Sequence, residues 1–179
     1  SEDPTCDVLD LQYMLGDALL VAPIFNEQGN VRYYLPQGRW TNLFTGAEVE
    51  GGRWHYENHD YFSLPLMVRP NTILAIGAND RLPDYDYADG VELHVFALED
   101  GKQAKAEVFN VRAELELTAS AVREGSTITL NVDGSSKPYS FVLRGVSSAS
   151  SVTGASFEKT EQGLRLVPEA GVKQIVVNL

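Results

Sequence analysis

From Val31 onward the chain is written in short β-rich runs separated by turn residues, and this cadence constrains the fold more than any other feature. A first series comprises Val31–Leu35, Arg39–Thr45, Ala47–Glu50, Arg53–Tyr56, Leu66–Arg69 and Thr72–Ile76. Pro36-Gln37-Gly38, Thr45-Gly46 and Gly51-Gly52 separate them, as tight reversals require, because glycine enters positive φ without steric cost. A second series comprises Val91–Leu98, Gln103–Phe109, Glu114–Ala121, Ser126–Val132, Tyr139–Leu143, Ser150–Phe157, Gly163–Val167 and Val172–Val177. Within it Leu115, Leu117, Ala119 and Ala121 alternate with Glu114, Glu116, Thr118 and Ser120, the period of a sheet with one wet face. Strands recurring about every 8–12 residues, reversed at Glu99-Asp100-Gly101 and Asp133-Gly134, predict an all-β chain of two consecutive antiparallel β-sandwiches rather than a βαβ fold. Asn79–Gly90 is polar and acidic, contains Pro83 and keeps no period, so it reads as the linker, with the boundary near Pro83.

The opening differs. Asp3-Pro4 is a helix start, with Asp3 as N-cap, and Val8, Leu9, Gln12 and Tyr13 recur at helical spacing before Gly16 ends the pattern. Leu19–Phe25 is a continuous apolar run carrying Pro23, which predicts a strand covered on both faces with the proline near an edge or bulge. So apolar an opening belongs against a larger body, and alone it is expected to self-associate or fray. Position 1 is Ser, and no basic-then-apolar signal pattern follows it, which reads as a piece of something longer.

Charge bounds the partners. Of 179 residues, 14 are Lys or Arg and 25 are Asp or Glu, so 14 − 25 = −11, which repels phosphate and argues against nucleic acid and anionic membrane as partners. No apolar run approaches the roughly 18–20 residues of a membrane span. A single cysteine, Cys6, excludes an internal disulfide framework and any multi-cysteine metal site, and with no histidine placed beside it Cys6 reads as a small packed residue.

Four groups of residues invite a chemical reading. Asp84, Asp86, Asp89 and Gly90 imitate a calcium loop, but the third acid is one position late and no glutamate closes the set, which leaves a solvated acidic linker. His55 and His59 stand four apart, a ligand spacing on a helix; their glycine- and aromatic-rich flanks indicate strand or loop, where that spacing carries little. His94 sits alone in an alternating strand. Trp40, Trp54, Tyr56 and Tyr61 could stack on sugar rings, although aromatics at this density more commonly fill a small sandwich or its contact with a neighbour. No nucleophile elbow or phosphate-cradling glycine loop occurs. The reading therefore names no catalytic residue, no cofactor-binding residue and no metal ligand.

At Gln12-Tyr13-Met14-Leu15-Gly16-Asp17-Ala18-Leu19-Leu20-Val21-Ala22-Pro23 the chain resembles glycoside hydrolase family 31, where a Q-(F/Y)-M-L-G-D-x-L-L-V-A-P stretch lies at the end of the catalytic (β/α)8 barrel. The likeness continues through Tyr34-Leu35-Pro36-x-Gly38-x-Trp40-Thr41, Gly46, Leu64-Pro65-Leu66-x-Val68-Arg69-x-Asn71-Thr72 and Arg81-x-Pro83-Asp84-Tyr85. After Asn79 the wording resembles the bacterial α-xylosidase branch, while Tyr87-Ala88-Asp89-Gly90 only echoes a pattern of many family α-glucosidases.

The resemblance implies that residues 1–25 end the barrel, 26–83 form a proximal C-terminal β-sandwich and 84–179 a distal one. It implies a retaining glycosidase, whose chemistry needs two carboxyl groups about 5–5.5 Å apart. In the family these are aspartates on barrel strands preceding this region, and neither Asp17 nor Asp89 matches their motifs. The expected role is an accessory scaffold or oligomerisation region, itself non-catalytic, of an enzyme that cleaves terminal α-linked xylose or glucose from oligosaccharides. Its partners would be the parent barrel and, in a homo-oligomer, other copies, and a bacterial cytoplasm is the expected compartment. An alternative makes the distal sandwich a carbohydrate-binding module for xyloglucan-like oligosaccharides, which requires Phe96, Phe109, Tyr139, Phe141 and Phe157 to supply an exposed aromatic row.

Overall fold

The computed structural model describes residues 3–82, 84–134 and 137–179. The chain forms two compact units, Ser1–Pro70 and Asn71–Leu179. Pro83, where the sequence places the boundary, lies outside the described residues.

In the proximal unit a short 3-10 helix, Pro4–Val8, is capped by Asp3, whose side chain accepts from the Thr5 amide at 3.0 Å. The spacing from Val8 to Tyr13 does not continue as a helix; Tyr13–Leu15 is strand β1, turning through Gly16-Asp17-Ala18 into β2, Leu19–Val21. Pairing of Tyr13 with Val21 and of Leu15 with Leu19 satisfies backbone groups that one further helical turn would have had to satisfy locally. The remaining strands are β3 (Asn30–Leu35), β4 (Arg39–Asn42), β5 (Glu48–Glu50), β6 (Arg53–Asn58) and β7 (Leu66–Val68). They form an antiparallel sheet in the order β1-β2-β7-β4-β5 and an antiparallel pair, β3-β6. Leu20, Ala22, Val31, Tyr33, Leu35, Trp40 and Met67 make the core of this unit. Leu20 and Ala22 belong to that core and β2 lies inside the sheet, so this part of the opening is built into the proximal unit.

The distal unit contains β8 (Thr72–Ile76), β9 (Val91–Phe96), β10 (Gln103–Phe109), β11 (Leu115–Glu124), β12 (Thr127–Asp133), β13 (Tyr139–Arg144), β14 (Ser151–Thr153), β15 (Ala155–Lys159), β16 (Gly163–Pro168) and β17 (Gln174–Asn178). Two five-stranded sheets, β10-β11-β12-β17-β14 and β15-β16-β13-β9-β8, enclose one core that includes Leu93, Leu117, Leu130, Phe141, Leu166 and Val177. The unit begins earlier than the sequence suggests. β8 pairs antiparallel with β9, and Asn71, at φ 57, donates its amide to Phe96 O at 3.0 Å. The acidic stretch after Asn79 is thus a connection within this unit, anchored by Ala88 in the core. One pair departs from the expected antiparallel pattern: β9 and β13, distant in sequence, run parallel.

The face of β9 and β13 opposite the core carries a polar network. His94, 1% exposed, has Nε2 at 3.3 Å from Glu92 Oε2 and Nδ1 at 3.4 Å from Arg144 Nη1. A guanidinium only donates, so Nδ1 must accept and the neutral Nε2–H tautomer fits both neighbours. Burial, reinforced by Arg144 and opposed by Glu92, lowers the His94 pKa. Burial pushes the Glu92 carboxyl up, but bonds from Arg165 and His94 outweigh it and hold Glu92 below its ordinary value. The unfolded chain therefore binds the His94 proton more readily. The stabilisation from neutral His94 is complete above its ordinary value of 6.5 and declines as pH falls below it. Urea unfolding of His94→Gln beside the parent checks this: the parent's advantage at pH 8 is expected to shrink at pH 5, and a constant difference would contradict it.

Candidate functional site

The surface with most unused recognition capacity belongs to the proximal unit. β1 is a sheet edge, all three of its residues are exposed, and none carries a charge. Natural edge strands are normally blunted by charge, proline, bulges or cover, so an open Tyr-Met-Leu edge is one that another surface would have to cover. Val8 is 79% exposed, Leu11 57% and Leu15 56%, interleaved with the exposed carboxylates of Asp7 and Asp10. The segment is nevertheless fixed in place. Gln12 Nε2 donates to Tyr34 O at 2.8 Å and Gln12 Oε1 accepts from Tyr34 N at 2.7 Å, so one side chain imitates a strand partner for β3. Tyr34 Oη donates to Asp3 Oδ2 at 2.8 Å, a bond that lowers the Asp3 pKa.

The two faces of β3-β6 differ in character. On one, the Arg32 guanidinium lies 3.9 Å from the Trp54 ring centroid and 5.6 Å from that of Tyr56, and Tyr34 meets Trp54 edge-on at 5.5 Å. On the other, Tyr33 stacks on His55 at 5.4 Å and donates from Oη to Glu57. Glu57 Oε2 is 2.7 Å from His59 Nε2, and His59 Nδ1 is 3.1 Å from Ser63 Oγ. Burial raises the Tyr33 pKa, with further contributions from Glu57, and burial lowers that of His55. His55 Nε2 is buried without a hydrogen-bond partner.

Beside this chain of contacts opens a groove of about 550 Å3 whose lining includes Tyr13, Ile24, Glu27, His59, Asp60 and Tyr61. Its two loops are tied together: Asn58 Nδ2 donates to Gln28 O at 2.6 Å and His59 N to Gly29 O at 2.9 Å. Gly29 is required at that contact, since it holds φ +73 and a Cβ there would lie 1.9 Å from His59 O. Asp60 Oδ1 accepts from Phe62 N at 3.0 Å and from Ser63 Oγ at 2.7 Å, bonds that lower its pKa. That turn leaves Tyr61 95% and Phe62 91% exposed.

The structure separates the residues the sequence singled out. His55 is engaged with Tyr33, while His59 lies beyond the end of β6 and contacts Glu57. Lys137 Nζ is 3.0 Å from both Asp86 and Glu116, so the calcium-like stretch already holds a cationic partner. Among the described residues no group of three His, Cys, Asp or Glu side chains could hold a metal ion. Cys6 borders a smaller hollow beside Leu9, Met14 and Leu20. Asp17 and Asp89 are exposed. Of the aromatics, Trp40 is core, Trp54 is half-buried beneath Arg32, and Tyr56 and Tyr61 are exposed, so filling of this unit's own core accounts for Trp40 and not for the last two. In the distal unit Phe96 and Phe141 are buried and Tyr139 half-buried, while the exposed Phe109 and Phe157 lie on strands of different sheets, so these five do not form an exposed row. No motif in the sequence announces the groove; its local signal is the turn Asp60-Tyr61-Phe62-Ser63, one acid followed by two aromatics.

Comparison with known proteins gives this arrangement its context. Residues 1–74 match the glycosyl hydrolase family 31 C-terminal domain, and residues 86–179 match the family described as alpha-xylosidase YicI, C-terminal domain. Alpha-xylosidase XylQ of Lactiplantibacillus pentosus is 41% identical over 95 residues, covering 50% of this chain and 12% of the relative. An alpha-xylosidase of Emericella nidulans is 39% identical over 102 residues, covering 52% of this chain and 13% of the relative. The chain thus spans about an eighth of the length of these relatives. A solved structure of the GH31 dextranase of Flavobacterium johnsoniae, complexed with glucose, superposes with a TM-score of 0.81 over 99% of this chain and 28% of that one, at 15% identity, which speaks to fold alone. Two consecutive family matches, divided where the polar connection between β8 and β9 runs, show that the chain belongs to glycosyl hydrolase family 31, as a C-terminal accessory region of the α-xylosidase-like kind.

Proposed function

We propose that this chain is the non-catalytic accessory region of a retaining α-xylosidase that releases terminal α-linked xylose from oligosaccharides, working in a bacterial cytoplasm. The observation that carries the substrate class is the match of residues 86–179 to an α-xylosidase C-terminal domain, supported by the two α-xylosidase relatives. The proximal unit supports a scaffold role. Its uncharged edge strand β1 and the exposed Val8, Leu11 and Leu15 form a docking face for the catalytic (β/α)8 body, each large side chain contributing roughly 1.5–3 kcal/mol if fully covered. Contacts between whole enzymes in a homo-oligomer are a further role open to the same region.

The whole enzyme is expected to turn over p-nitrophenyl α-xyloside with a higher kcat/KM than the α-glucoside, while the 179-residue chain alone turns over neither. A preference for the glucoside would reassign the substrate, and turnover by the chain alone would overturn the accessory reading. In gel filtration the isolated chain is expected to self-associate, and Leu11→Glu with Leu15→Glu to shift it toward the monomer. Unlike deletion of residues 1–25, these substitutions spare Leu20 and Ala22 of the core. A parent chain that is already monomeric would count against the docking face.

A further inference from the structure

We infer that the groove between the Asn26–Gly29 and His59–Leu64 loops is a socket for a cationic side chain, an arginine or lysine carried on an apolar segment of a partner protein surface. The inference rests on the reading that this side of the proximal unit faces the remainder of the enzyme, and it specifies the chemistry of the contact. Glu27 and Asp60 line the groove and no Lys or Arg does. Among the described residues neither carboxylate has an ion pair with a Lys or Arg. Asp60 stays ionised because its bonds from Ser63 and Phe62 favour the charged form, and both of those bonds fall on Oδ1.

The rest of the lining suits the stem and plane of such a side chain. Pro23, Ile24 and Leu64 offer apolar walls for methylenes, and the aromatic side chains of Tyr13 and Tyr61 line the same groove. The chain already pairs a cation with an aromatic ring internally, with the Arg32 guanidinium seated over Trp54. The socket is preformed, since the Asn58–Gln28 and His59–Gly29 bonds fix the separation of its two loops. A neutral sugar would meet the apolar and aromatic lining but use the charge of neither carboxylate, whereas a guanidinium uses both.

The test is an NMR titration of the isotopically labelled 179-residue chain with N-acetyl-arginine amide, its uncharged isostere N-acetyl-citrulline amide, and isoprimeverose. Saturable shifts confined to residues 26–29 and 59–64 are expected with the arginine compound, with affinity reduced about threefold or more for citrulline and for Glu27→Gln. An equal response to citrulline, a saturable isoprimeverose response at the same residues, or no response to the arginine compound would each overturn the socket. Gel filtration reports separately on docking: a self-associating chain that ignores arginine loses only the socket, and a monomeric chain that binds arginine loses only the docking face.

Discussion

Replacement of Trp40 by alanine is expected to cost about 3–5 kcal/mol, enough to remove most of the stability of the proximal unit. Trp40 is 1% exposed, and its indole packs in a cluster of only seven buried residues. A unit of this size has a stability on the order of 4–10 kcal/mol, and there is little neighbouring core to collapse into the space left behind. The substitution also removes a hydrogen bond, since Trp40 Nε1 donates to Pro36 O at 2.9 Å and so fixes the turn between β3 and β4. Trp40→Phe separates the two contributions: it retains much of the volume and should cost about 1–2 kcal/mol. Hydrogen exchange at the amides of Leu20, Val31 and Leu35 is the direct measurement, because it reports on this unit residue by residue. Loss of protection there in Trp40→Ala, with partial retention in Trp40→Phe, is the expected result. A loss below about 1 kcal/mol would show that this small cluster is not what holds the unit together. The functional consequence follows from position: β2, which supplies Leu20 to the cluster, pairs with β1, so loosening the core also loosens the proposed docking edge.

What the sequence could and could not disclose follows the range of the interactions involved. The alternation in β11 was legible because burial of one sheet face is written residue by residue: Leu117, Ala119 and Ala121 are fully buried and Glu116, Thr118 and Ser120 are not. Leu115 escapes the pattern because a bulge at Val108/Phe109 shifts its register, and it is exposed. The opening departs from its local pattern because Val8–Tyr13 does carry helical spacing, yet the decisive bonds are made across the Gly16 turn and from Gln12 to Tyr34, 22 positions away. The same holds for β8. Its composition resembles the strands before it, but its partner lies beyond a polar connection, and no local property of Thr72–Ile76 announces β9. The groove is a product of register, since the pairing of Asn30 with Asn58 brings the Glu27 and Asp60 loops to one end of the β3-β6 pair. Family likeness reaches further than local pattern because it draws on ordered motifs spread from Gln12 to Gly90, and it points to the accessory region that the two family matches support.

Gly163→Ala should be among the most damaging single-methyl additions in the distal unit, at about 3–5 kcal/mol, and the reason can be divided into two parts. Gly163 holds φ +147, a conformation that L side chains rarely adopt, at the point where the β15–β16 turn re-enters the sheet. An added Cβ would also lie 2.1 Å from Leu143 O and 3.1 Å from Arg144 Cα, backbone atoms of the paired strand β13. Neither can retreat cheaply, because β13 is an inner strand, bonded to β16 on one side and to β9 on the other. Thr160 holds the turn from the opposite direction, with its amide and its Oγ1 donating to Gly163 O at 2.8 and 2.9 Å. Gly125→Ala supplies the comparison. It lies in the β11–β12 turn at φ +60 with nothing within 4 Å of the added carbon, so it tests backbone strain alone and should cost about 1–2 kcal/mol. Chemical denaturation of the two variants beside the parent therefore separates an unhindered left-handed glycine from one that combines a rarer φ with a backbone clash. Equal losses would mean that the clash with Leu143 O is relieved by backbone movement and that the β13–β16 pairing is softer than its position inside the sheet implies. The excess expected for Gly163 would also reach Arg144, which pairs with Gly163 and contacts His94, so the same variant should change the pH dependence assigned to that histidine.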